Sequence, residues 1–100
     1  MCTTQEYIDR IQRNADFIRN SFAVESLSIF GSVARGQQNE DSDVDVFVEM
    51  PARMFLLIGL KQYLEELLGC SVDVIRNHQG LNTYLKQEIE QDGIPVFKAA

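Results

Sequence analysis

The chain has 100 residues, 45% of them hydrophobic, and nine Lys/Arg against fifteen Asp/Glu give a formal net charge of -6. That length predicts one domain, residues 1–100, with room for one core and none for a separate acceptor-binding domain. The acidic balance and scattered basic residues argue against direct nucleic-acid binding, which rests on clustered cations against phosphates.

Cys2 and Cys70 fit no metal-ligand spacing, so each reads as a buried or idle thiol. The N-terminus lacks the basic-then-apolar pattern of a secretory signal. The longest apolar stretch, 54–60, is interrupted by Gly59 and followed by Lys61, too short for a bilayer. A cytoplasmic protein with no membrane contact is the expectation.

In chain order, residues 4–21 are predicted as one amphipathic helix. Ile8, Ile11, Ala15, Ile18 and Phe22 recur at helical spacing, and Thr3 with Glu6 fits a capping box. Residues 26–30 alternate and then run apolar into Gly31, which predicts a short strand. Residues 32–35 make about one helical turn with Gly36 as its stop, and 37–42 are polar and predicted as an exposed loop. Residues 43–49 form a second strand, with Val44, Val46 and Val48 on one face and Asp43, Asp45, Phe47 and Glu49 on the other. Pro51 ends it, because proline cannot donate to a ladder.

A helix is predicted over 53–68, with Leu57, Leu60, Leu64, Leu67 and Leu68 along its core stripe and Gly69 as its stop. Residues 71–76 read as a third strand. Residues 81–91 read as a last helix, with Leu81, Tyr84, Leu85 and Ile89 on one face. The apolar tail 94–97 either adds an edge strand or docks on a partner. This order predicts an α/β (α+β) architecture: a small mixed β-sheet flanked by helices.

Two stretches carry chemistry. Gly31-Ser32 sits where a strand feeds a helical turn. Free N–H groups at such a start bind anions, glycine admits a phosphate closely, and the serine hydroxyl adds a donor. The same dipeptide also fits an ordinary strand-to-helix turn capped by Ser32. Asp43 and Asp45 lie two apart on a strand, so their carboxylates share a face about 7 Å apart at Cα. They can converge on metals about 3.5–4 Å apart, the spacing of two-metal phosphoryl chemistry, and hard oxygens with phosphate suit Mg²⁺.

Taken alone, Asp-x-Asp also fits a solvated strand face. The regular valines and Phe47 argue that this face is partly covered, where two like charges repel unless a cation lies between them. Asp73 sits between Val72 and Val74 and can join them only if its strand pairs beside the second. An EF-hand is excluded, because Val46 and Ala52 occupy its required Gly and Glu positions. His78, in a loop, reads as a surface residue.

Gly-Ser-Val-Ala-Arg-Gly at 31–36, followed six residues later by Asp43-Val44-Asp45, resembles the core motif of the DNA polymerase beta-like nucleotidyltransferase superfamily. More narrowly it resembles the minimal nucleotidyltransferases, the MNT proteins of bacteria and archaea, over nearly the whole chain. The resemblance implies a nucleotidyltransferase fold and assigns roles by position. Gly31 and Ser32 would hold the triphosphate, and Asp43, Asp45 and Asp73 would ligate two Mg²⁺. Asp73 would also help deprotonate the acceptor hydroxyl. Ser42 would steady the loop or the nucleotide. Arg35 would touch phosphate or, the preferred reading, form an ion pair that fixes the turn.

The resemblance further implies an antitoxin that moves AMP from ATP onto a tyrosine of a HEPN-domain toxin in a hetero-oligomer. Two rival readings are an antitoxin that neutralises by binding alone and a transferase for a small molecule such as an antibiotic.

Overall fold

The computed structural model describes residues 2–37 and 43–98. The elements run α1 (Thr4–Arg13), α2 (Ala15–Phe22), β1 (Ser26–Phe30), α3 (Gly31–Ala34), β2 (Val44–Glu49), α4 (Met54–Leu68), β3 (Val72–Arg76), α5 (Thr83–Asp92) and β4 (Ile94–Lys98). The four strands form one mixed sheet in the order β3-β2-β1-β4. β1 pairs antiparallel with β2 and with β4, while β2 and β3 run parallel. A parallel pair needs a long crossover, which α4 supplies.

The N-terminal helix begins as its sequence demands. The Glu6 N–H donates to Thr3 Oγ1 and the Thr3 N–H to Glu6 Oε1, both at 3.2 Å, closing the capping box. The predicted single helix over 4–21 is divided at Asn14. Its side-chain amide donates to the Arg10 carbonyl at 2.8 Å and its backbone leaves helical geometry at φ -110, ψ 13. A short polar side chain that bonds the preceding turn competes with the helical ladder. Ile11 and Ile18, seven residues apart and on either side of the break, are both fully buried in the core.

One face of the sheet carries that core. Leu27, Ile29, Val44, Val46, Val48 and Val72 are fully buried and join Tyr7, Ile8, Ile11, Ile18, Leu60, Leu64 and Leu68 in one cluster. Each such side chain contributes about 1.5–3 kcal/mol by leaving water. Leu57 and Leu67 are only partly buried against this cluster. α5 packs on β1 and α3, and none of its residues belongs to the cluster, so it lies over the other face. Its sheet-facing side chains are Leu85, Glu88, Ile89 and Asp92, at helical spacing. Tyr84, expected on the packed face, is 85% exposed, because the helix packs through the side that carries Leu85, Glu88, Ile89 and Asp92.

Both sheet edges are guarded. The tail strand β4 carries exposed Pro95, which an edge tolerates. At β3, Lys61 Nζ donates to the Val72 carbonyl at 2.8 Å and the Val72 N–H donates to Glu65 Oε2 at 3.2 Å. These α4 side chains occupy main-chain groups that a stray strand would otherwise pair with. Among the described residues, no helix is long and apolar enough to cross a membrane.

Candidate active site

The site is assembled where β1 ends. Phe30 and Asp45 are cross-strand partners, and on the other side of β2 Asp45 is the partner of Asp73. Partner residues in a sheet share a face, with neighbouring strands about 4.8 Å apart. Asp45 therefore sits between a buried Phe30, 3% exposed, and the open edge residue Asp73. Asp43, exposed, immediately precedes β2 and lies one pleat repeat before Asp45. The parallel pairing of β2 with β3 is what sets Asp73 beside Asp45.

Gly31 follows Phe30 with φ +75, a left-handed conformation that side-chain-bearing residues adopt at a cost. A Cβ at Gly31 would also overlap Asp45 Oδ2. Glycine is thus required twice, for the sharp turn out of β1 and for the carboxylate that lies against it. Ser32 follows within α3, half-buried, and its carbonyl accepts from the Gln37 N–H at 2.9 Å, closing the turn. The Thr4 hydroxyl donates to the Val33 carbonyl and ties the same turn to α1. Ser42 lies outside the described residues.

Burial pushes the Asp45 carboxyl up to about 6, and the charges of Asp73, Asp43 and Glu88 push in the same direction while Arg35 opposes them. Asp73, Asp43, Glu88 and Arg35 are therefore each within electrostatic reach of Asp45. Among the described residues, no three His, Cys, Asp or Glu side chains are gathered closely enough, as they stand, to hold a metal ion. Their chemistry still fits one: hard oxygen donors share a face, and a cation there would relieve the repulsion that raises the Asp45 pKa.

Arg35 makes ion pairs with α5, donating from Nη1 to Asp92 Oδ2 at 2.9 Å and lying 3.7 Å from Glu88 Oε1. Sequence reasoning missed Glu88 and Asp92. Their spacing of four marks one helical face, but nothing local says that this face meets Arg35. His78 is exposed, and its Nδ1 accepts from the Gly80 N–H at 3.1 Å. It borders a groove of about 470 Å³ lined also by Met54, Leu57, Ile75, Leu81 and Leu85, which includes none of the three acids.

Residues 11–96 match the family model described as a nucleotidyltransferase domain. The chain belongs to that nucleotidyltransferase family. A Methanocaldococcus jannaschii protein, provisionally named a protein adenylyltransferase, is 36% identical over 98 residues, covering 96% of this chain and 100% of its own length. The protein adenylyltransferase MntA of Thermococcus cleftensis is 39% identical over 77 residues, covering 75% of this chain and 78% of its own.

Among solved structures, one provisionally described as a minimal nucleotidyltransferase aligns with TM-score 0.76 and 29% identity, covering 94% of this chain and 96% of that one. A complex described as a tri-AMPylated Shewanella oneidensis HEPN toxin with MNT antitoxin aligns with TM-score 0.65 and 17% identity, covering 97% and 74%. The nucleotidyltransferase fold expected from the motif is the fold observed.

Proposed function

We propose that this nucleotidyltransferase moves AMP from ATP onto a tyrosine of a HEPN-domain toxin, acting as the antitoxin of a hetero-oligomeric pair. The observation that carries the reading is the register that sets Asp73 beside Asp45, next to Gly31 and Ser32. Three carboxylates beside a turn suited to phosphate match nucleotidyl transfer, which depends on positioning and charge neutralisation. The acceptor is supported by the relative named protein adenylyltransferase MntA and by the solved complex of an AMPylated HEPN toxin. A net charge of -6 suits a basic, RNA-cutting partner. Large exposed apolar side chains, Phe55 at 91% among them, also favour a protein partner over a small acceptor.

In the reaction, the acceptor oxygen forms a bond to the α-phosphorus of ATP. The bond from that phosphorus to the bridging oxygen breaks, and pyrophosphate leaves with the electron pair. Gly31 and Ser32 hold the phosphates by main-chain N–H and hydroxyl donors. Asp73, exposed on β3, takes the hydroxyl proton. Two Mg²⁺ held by Asp43, Asp45 and Asp73 would supply positive charge against the triphosphate and acidify the acceptor hydroxyl.

The test is co-incubation with a HEPN-domain partner, ATP and Mg²⁺, followed by mass spectrometry. An AMP-sized increment on a partner tyrosine is expected, and the double variant Asp43→Asn/Asp45→Asn should abolish it. If the double variant still neutralises the partner fully, binding alone is the function. An increment found only on an aminoglycoside-type molecule would redirect the reading to small acceptors.

A further inference from the structure

Arg35 closes the glycine turn and is also the residue through which α5 reaches the site. Its N–H donates to the Gly31 carbonyl at 3.2 Å, so its backbone is part of the α3 turn. Its guanidinium is fixed from two directions: Nε donates to Gln37 Oε1 at 3.1 Å, and Nη1 donates to Asp92 Oδ2 at 2.9 Å. Nη2 takes part in neither bond. The Asp92 contact spans 57 residues of sequence and joins α3 to a helix with no fully buried residue.

The pair is too exposed to act as a stability anchor, with Arg35 and Asp92 side chains 39% and 27% accessible. What it supplies is orientation. An arginine side chain is long and rotamer-rich, and fixing it before a ligand arrives removes an ordering cost from binding. The held guanidinium lies close enough to Asp45 for its charge to be felt there.

Resting on the nucleotidyl-transfer reading above, we propose that Asp92 is a positioning residue for the nucleotide. Acting through Arg35, it holds the guanidinium beside the Gly31–Ser32 turn with one nitrogen directed to the triphosphate, and Asp92 itself touches no substrate. Asp92 is a cleaner probe than Glu88. Glu88 lies farther from Arg35, at 3.7 Å, and its charge acts on Asp45 directly, so its removal changes two things at once.

The experiment is titration of the full chain with Mg²⁺ and AMP-PNP, by calorimetry, together with steady-state transfer kinetics. Asp92→Asn is expected to weaken AMP-PNP binding three- to tenfold and to raise KM for ATP while kcat stays within twofold. Asp92→Glu should restore most of the affinity. In an Arg35→Ala background, Asp92→Asn should have no further effect. Wild-type affinity in Asp92→Asn overturns this inference alone, and so does an equal loss with and without Arg35, which assigns Asp92 to the fold instead. Failure of the wild-type chain to bind AMP-PNP overturns this inference and the transferase reading together.

Discussion

The face of the sheet that carries Val44, Val46 and Val48 is closed by α1, α2 and α4, whereas the face that carries Asp45 and Asp73 is covered only in part, by α3 and α5. Both faces come from the same strand, β2, by the alternation of its side chains. The valine side is fully buried, and its stabilisation is held in hydrocarbon removed from water. The acid side holds a half-buried carboxylate among like charges, which opposes folding. The lesson is that this small chain keeps its stability and its chemistry on opposite sides of one sheet, so that perturbing one should spare the other.

The largest expected effect on stability lies on the closed face. Leu64→Ala removes a fully buried side chain at the centre of the core and should cost about 3 kcal/mol in chemical denaturation, within the range for such truncations. Transfer activity per folded molecule should be unchanged. A matching collapse of activity in the folded fraction would show that the two faces are coupled.

Gly31→Ala tests the seam between them. It places a side chain at positive φ, costing about 1–2 kcal/mol, and drives the Asp45 carboxylate from its place against the turn. Transfer should fall by more than tenfold even where the variant remains folded, and a binding titration with nucleotide should show weaker uptake. Full activity in this variant would mean that the carboxylate does not need its position against Gly31.

Asp45→Asn sharpens the comparison by removing charge from the open face. The folded-state pKa of about 6 lies above the ordinary value of 3.8. Between these values the folded chain keeps a proton that the unfolded chain has released. Stability in metal-free buffer therefore falls as pH rises from about 4 to 6, and the whole cost is present above that window. Because the group is only half-buried, solvent screening reduces this cost to about 1 kcal/mol. The variant should be more stable than wild type by that amount at pH 7, flatter across the window, and inactive in transfer. Melting curves at pH 4 and pH 7 decide it, and parallel pH profiles for the two proteins would refute the account.

The smallest effect is expected at Tyr84, which projects from α5 into solvent. Tyr84→Ser should change stability by no more than about 0.5 kcal/mol. A larger loss, measured in the isolated chain, would place this ring in the packing of α5.

Local features were written in the sequence. The capping box at Thr3 and Glu6, the strand at 26–30, the valine alternation from Val44 to Val48 and the stop at Gly69 all appear where short-range patterns place them. Gly31-Ser32 and Asp43-Val44-Asp45 are each ambiguous alone and are joined into one motif only by the family resemblance, and it is the β1–β2 pairing that sets Asp45 against Gly31. The tertiary structure alone decided the rest. Asp73 joins Asp45 only because α4 returns the chain for a parallel pairing, and Arg35 meets Asp92 only because α5 crosses back over β1. The outward turn of Tyr84 and the choice of an edge strand for 94–98 belong to the same class. Periodicity says which side of an element is apolar, but strand order and register are set by how those apolar sides pack, and this packing brings distant carboxylates to one place.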